Sequence, residues 1–444
     1  MKRALGVLLL CFLLVGCGGG GGSHDSGLLG GSDEPGSSGQ VNGFDLPPTT
    51  KADRVYPKLV NYCHMMDLSD NKITNREAYL AQWDIIILNP QEVRDQGVNL
   101  TKIRQVNPRI KILAWIPFGQ SSEDFEMSTS LGSGLANYYV KDTQGQYISP
   151  SWGGHIMNPY KDDYEWAKHV LQYVESNYIT NHLYDGVMFD CVWANAPSWY
   201  STYQADIDED NDYDYQDEQD YQAGVAYLLK SLRAKEPSAI VTANGGVPWS
   251  TATTWFDPNN EYYKNVNGVM CGNAFGDEFQ VSGWSDWGTQ WSYYTGAIDK
   301  IQGTSMGTYY YFMNADLRYG RTQAEAQNAT SLTDEDKRRF RLALTTTLLK
   351  DGYFGFDRGD CLHGQLWWFR EYNVNLGNSA SQDMKDKYGT GTYSREFANG
   401  TVVVNPTNQP TTVTFTEKRT DASTGAQANS FTLPAKDGRI YMKS

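Results

Sequence analysis

The sequence predicts an α/β fold: a (β/α)8 TIM barrel followed by a small C-terminal antiparallel β-domain. Three observations carry this. Eight short apolar or aromatic runs recur along the chain. Segments of helical periodicity separate them. After about Asn375 the texture changes to alternating apolar and polar residues between Asn-Gly and Pro turns. Short continuous apolar runs suit strands covered on both faces, and strands alternating with helices build a parallel sheet. The rival is a doubly wound sheet. It lacks support, because no GxGxxG stands between a strand and a helix and the glycine run at 18–22 is linker.

The strand candidates are "KLVNYC" (58–63), "DIIIL" (84–88), "IKILAWI" (110–116) and "DGVMFD" (185–190). They continue with "AIVTAN" (239–244), "NGVMC" (267–271), "GTYYYF" (307–312) and "GYFGF" (352–356). Helical patterns cover 75–82, 97–105, 162–178, 220–235, 287–301 and 333–350. The 162–178 segment sets Trp166, Val170, Tyr173 and Val174 on one stripe, and "TDED" at 333–336 is a helix start signal. The barrel is expected over 51–375 and the β-domain over 376–444.

The N-terminus reads differently. Lys2 and Arg3 precede an apolar run, Ala4 to Gly16, shorter than the about 17–25 residues a membrane-spanning helix needs. This is a secretory signal. Its end, Leu14-Val15-Gly16-Cys17, resembles a bacterial lipobox, which implies cleavage before Cys17 and acylation of that cysteine. Residues 18–50, rich in Gly, Ser, Asp and Pro, bury too little apolar surface to order themselves and read as a tether. The expectation is a lipid-anchored protein of the bacterial cell envelope, facing the periplasm or the surface.

Net charge is −15. An acidic surface repels phosphates, so nucleic acid is not an expected partner, and a monomer is expected. Aromatics are plentiful, with 13 Trp, 30 Tyr and 16 Phe; most belong to the core, while some rings can stack on sugars. Cys63, Cys191, Cys271 and Cys361 show no CxxC spacing, which argues against zinc or iron–sulfur sites. Cys63 and Cys361 follow neighbouring strands of a closed barrel and are a candidate disulfide; free thiols are the alternative.

Active sites of such barrels lie at the C-terminal ends of the strands. Asp185 opens the fourth strand and Asp190 closes it. At about 3.3 Å per residue, five steps separate them by roughly 16 Å, so they are no catalytic pair. Asp190 is the functional candidate, with a structural hydrogen bond or salt bridge as its alternative role; Asp185 is expected to cap a turn on the opposite face. The same rule selects Asn61 and His64 after the first strand, Trp115 at the third, Asn244 at the fifth and Asp357 at the eighth. Trp115, Trp193 and Trp199 are the expected stacking platforms for a glycan.

"YDGVMFD", "NGVM", "DGYFGFD", "EYNVNLG" and "REFANGTVVVNPT", in that order, resemble the glycoside-hydrolase barrels grouped as hypothetical glycosyl hydrolase family 15. The likeness runs from about residue 55 to the end. It implies a TIM barrel acting on a polysaccharide or oligosaccharide, with a carboxylate at the end of the fourth strand, here Asp190. Hydrolysis generally needs two carboxyl groups, one donating a proton and one acting as nucleophile or base. Related barrels tend to offer an acid soon after the sixth strand. This chain reads "NGVMCGNAFGDEFQ", so Glu278, then Asp277, are the candidate acids, with Asp257 and Asp357 behind them. No cofactor is required for that chemistry. Without a partner acid, the barrel would only bind glycan.

A second constellation is "DIDEDNDYDYQDE". Its D-x-D-x-D spacing, with Asn211 where the chain must turn sharply, resembles a Ca²⁺ loop. Asp206, Asp208 and Asp210 would be side-chain ligands and Asp217 a late one. A solvated acidic loop is the alternative.

Overall fold

A computed structural model describes residues 40–41, 44–45, 48, 50, 52–63, 73, 75–150, 153–179, 183–192, 204–244, 262–272, 287–302, 308–317, 325–326, 329, 331–357, 363 and 365–444. The barrel strands are β1 (Val60–Cys63), β2 (Ile85–Leu88), β3 (Lys111–Pro117), β4 (Gly186–Asp190), β5 (Ile240–Asn244), β6 (Gly268–Gly272), β7 (Tyr310–Asp316) and β8 (Tyr353–Asp357). They lie in one eight-stranded sheet in sequence order, every neighbouring pair parallel. The ends meet: the Phe354 N–H donates to the Lys58 carbonyl at 2.9 Å, beside a parallel bridge from Leu59 to Phe354. The barrel predicted from the eight runs is present.

Alternation along each strand divides its residues between two cores. Val60, Tyr62, Ile85, Ile87, Leu113, Trp115, Met188, Ile240, Met270, Tyr310 and Phe312 fill the barrel. Their neighbours, such as Ile86, Val187, Phe189, Val241, Cys271, Tyr311 and Phe354, pack outward against the helices. Removing water from both faces makes continuous apolar runs favourable here. The exception is β7, expected to end at Phe312. It runs four residues further, through Asn314 and Asp316, and is buried throughout. Its polar tail reads as loop in the sequence, but it is strand that lines the barrel mouth.

The described α-helices of five or more residues are α1 (Arg76–Leu80), α2 (Pro90–Asp95), α3 (Leu100–Val106), α4 (Lys161–Val174), α5 (Tyr215–Lys235), α6 (Trp287–Gln302) and α7 (Asp334–Leu348). Helix α2 was not anticipated, although Asn89 caps it and Pro90 occupies its first turn. Helix α5 begins five residues before the expected 220, because Asp214 and Asp217 form a capping box. The same device, Thr333 with Asp336, starts α7 at the "TDED" signal.

The C-terminal sheet contains β9 (Met384–Lys385), β10 (Tyr393–Glu396), β11 (Gly400–Asn405), β12 (Thr411–Asp421), β13 (Gln427–Leu433) and β14 (Asp437–Lys443). Its order is β9-β10-β11-β14-β12-β13, antiparallel throughout. One face joins the barrel's outer core through Val402, Val404 and Ile440. The other closes over Val403, Val413, Phe415, Leu433 and Tyr441. Arg341 of α7 grips Asp437 with two hydrogen bonds, at 3.0 and 2.8 Å. No described helix is long and apolar enough to cross a membrane.

Candidate active site

Asp190 shares the inward face of β4 with Met188, two residues earlier. The chain turns sharply after it, with Cys191 in the left-handed region at φ 55°. The end of β3 locks this turn, since the amides of Phe118 and Gly119 donate to the Asp190 carbonyl at 3.3 and 3.1 Å. Only glycine fits at 119, where a Cβ would lie 1.7 Å from the Cys191 carbonyl oxygen.

The Asp190 carboxylate is 9% exposed and accepts four hydrogen bonds. Oδ2 takes the Tyr62 hydroxyl and the Trp115 indole N–H, each at 2.9 Å. Oδ1 takes the Asn244 amide and the Cys191 backbone N–H, each at 2.9 Å. The Trp115 N–H also reaches the Tyr62 oxygen at 3.1 Å. Burial, followed by the charge of Asp190, pushes the Tyr62 phenol well above its ordinary value, so it is held as a donor.

The far wall holds a second polar group. Asp316 and Asp357 end β7 and β8 in paired register, both 3% exposed. Asp357 Oδ2 accepts from the Asn314 amide at 3.0 Å and meets His363 Nδ1 at 2.7 Å. The His363 ring lies 4.7 Å from that of Tyr62. Burial acts to lower the imidazole's pKa; Asp357, Asp316 and Asp190 together outweigh it, and the net direction is upward.

Trp115 and Asn244 thus meet at Asp190, and Asp357 stands at the same mouth. Trp115 is 6% exposed and edge-on to Phe125, so it presents an N–H to the site rather than a broad stacking face. Asn61 alternates with Tyr62 and donates to the Gln365 carbonyl at 3.1 Å, on the other side of the strand. Asp185 pins β3 at the barrel's bottom rather than capping a turn: its Oδ2 accepts from Arg104 at 2.9 Å and from the Ile112 amide at 2.8 Å. Cys17, His64, Trp193, Trp199, Asp257, Asp277, Glu278 and Cys361 lie outside the described residues. Cys191 and Cys271 are free thiols. Sequence reasoning missed Tyr62, Asn314, Asp316 and His363. The period-two pattern of β1 marks Tyr62 as inward-facing; a correctly ended β7 would have revealed Asn314 and Asp316.

The acidic loop before α5 brings carboxylate oxygens of Asp206, Asp208 and Asp210 within 4.8 Å of one another. Asn211 is left-handed at φ 72°, as a sharp turn there requires. Asp217 groups instead with Asp212 and Asp214. Its two oxygens accept from the amides of Ile207 and Asp214, at 2.6 and 2.8 Å. Hence the loop's first three acids converge, while Asp217 anchors the helix start. Burial, then repulsion from neighbouring acids, outweighs the loop's amide hydrogen bonds and raises Asp206 and Asp208 above the usual carboxylate range.

No protein-family model and no curated protein matches the sequence. Solved structures do. The chain is similar to Amy13B of Eubacterium rectale, at 10% identity over 90% of this chain and 97% of that one, with a TM-score of 0.51. An α-amylase from Lactobacillus plantarum matches at 11% identity over 87% of this chain and 99% of that one, TM-score 0.47. The glycoside hydrolase domain of PelA from Pseudomonas aeruginosa matches at 13% identity over 68% of this chain and 94% of that one, TM-score 0.42. Likeness at such identity concerns architecture alone. The chain has a TIM-barrel fold, an architecture it shares with Amy13B.

Proposed function

We propose that this protein hydrolyses glycosidic bonds of a polysaccharide or oligosaccharide, with Asp190 as nucleophile or base. One observation carries the reading: a carboxylate stands at the C-terminal end of β4, immobilised by donors from β1, β3 and β5. Donors that hold a carboxylate in one orientation pre-organise it for attack on, or proton removal beside, an anomeric carbon. Glu278, or Asp277, which follow β6 in the sequence, is the proposed acid. Trp193 and Trp199 are the proposed stacking groups. The test is a glycan-panel screen of wild type and Asp190→Asn. A loss on the order of 10³-fold or more is expected in the variant; equal turnover would remove Asp190 from the mechanism.

A second reading is favoured by a specific feature. All four hydrogen bonds to Asp190 come from the protein itself, and a carboxylate offers about four acceptor positions. A group so engaged suits a glycan-binding barrel without turnover. Glycan affinity in the wild type with no product release would select that reading.

Two further proposals concern the surroundings. Asp206, Asp208 and Asp210 offer hard oxygens at a spacing that fits a structural Ca²⁺, which would order the loop following β4. Acylated Cys17 would tether the barrel to the cell envelope; mass spectrometry of the mature N-terminus, with Cys17→Ser as control, tests this.

A further inference from the structure

We propose that His363, clamped by Asp357, is a positioning residue for Asp190, acting through Tyr62 and coupling the two walls of the barrel mouth. The path is continuous. Asp357 Oδ2 meets His363 Nδ1 at 2.7 Å, the imidazole packs on the Tyr62 ring at 4.7 Å, and the Tyr62 hydroxyl donates to Asp190 at 2.9 Å. It runs from β8 to β4, on opposite sides of the barrel. The inference rests on Asp190 being the working carboxylate of the mouth.

A purely structural mouth would be built from apolar side chains, because buried ionic groups are expensive to desolvate. This one gathers three carboxylates at its rim, Asp190, Asp316 and Asp357, each at most 9% exposed. His363 is a titratable base among them, with 15% of its side chain exposed. Among the described residues, the groups that act on it are Asp357 of β8, Asp316 of β7 and Asp190 of β4, with the Tyr62 ring of β1 against its face. A protonated imidazole adds positive charge beside these acids in a low-dielectric space. Its loss on raising the pH removes that charge and loosens the Tyr62 contact that orients Asp190.

The experiment follows the His363 imidazole by NMR titration, assigned by the resonance missing in His363→Gln. In wild type the midpoint lies above the ordinary histidine value. In Asp190→Asn it falls, because one of three nearby negative charges is gone. The Tyr62 ring and Trp115 indole resonances of the wild type titrate with the same midpoint, a readout that needs no variant to fold. An unmoved midpoint in Asp190→Asn, or flat Tyr62 and Trp115 resonances, overturns the coupling. On a hydrolysed glycan, His363→Gln lowers kcat more than it raises KM and shifts the alkaline limb of the pH profile; an unchanged kcat and limb would refute the positioning role. If the wild type hydrolyses no glycan, the hydrolase reading fails while the titration still decides the coupling.

Discussion

The Tyr62 hydroxyl and the Asp190 carboxylate meet at 2.9 Å although 128 residues separate them in the chain. Trp115 completes the contact by donating its single indole N–H to both. Two strands therefore converge on one carboxylate oxygen of a third, and its position is a property of the closed barrel.

Trp115→Phe keeps an aromatic ring in the barrel and removes that shared donor. A hydrogen bond to a charged group contributes about 1.5–3 kcal/mol. Chemical denaturation should show a loss of roughly that size, and glycan turnover should fall at least about tenfold. A variant as stable and active as wild type would show that the indole only fills space.

His363 also links stability to pH. Burial lowers its pKa, but Asp357, Asp316 and Asp190 raise it further, so the fold favours the imidazolium. A raised folded value contributes stability that is full below the unfolded value, about 6.5, and is lost as pH rises through the folded value. The stability difference between wild type and His363→Gln should therefore shrink as the pH rises above about 6.5. A difference that stays constant through the neutral and mildly alkaline range would contradict this.

The acidic loop predicts a response to calcium. Millimolar calcium should raise the melting temperature and EDTA should abolish the gain, because a ligand bound only to the folded state stabilises it by mass action. The Asp208→Asn, Asp210→Asn double variant should show no gain. Identical melting of wild type with and without calcium would count against an ion there.

The C-terminal sheet docks through a position that admits only glycine. A Cβ on Gly438 would lie 1.8 Å from Thr345 Oγ1 of α7. Gly438→Ala should destabilise the protein by about 1–3 kcal/mol, the usual effect of overpacking. Thr345→Ala in the same chain should recover part of the loss, and additive losses in the double variant would place the strain elsewhere.

Much of the fold was legible because strands buried on both faces leave unbroken apolar runs. Ile85–Leu88 and Gly186–Asp190 are clear examples. Strand β7 breaks this pattern for a physical reason. Asn314 and Asp316 sit inside a strand yet face the polar mouth, so they imitate loop. The candidate site was legible in part for the same reason: Asp190, Trp115 and Asn244 end or nearly end their strands, where a polar or bulky residue stands out against the apolar run. Tyr62 did not stand out, because an aromatic residue in a strand reads as core until its hydroxyl has a partner. His363 follows the last strand with no local pattern around it.

The sequence by itself determined the number and order of the barrel strands, since these follow from local periodicity and from the burial of both strand faces. It also singled out Asp190, because strand direction alone separates it from Asp185. Only the tertiary structure decided what Asp190 touches. Closing eight parallel strands into a ring sets residues 62, 115 and 244 around the Asp190 carboxylate and sets 314, 316, 357 and 363 opposite. Such contacts depend on barrel closure and on the stagger of neighbouring strands, and no window of adjacent residues encodes either.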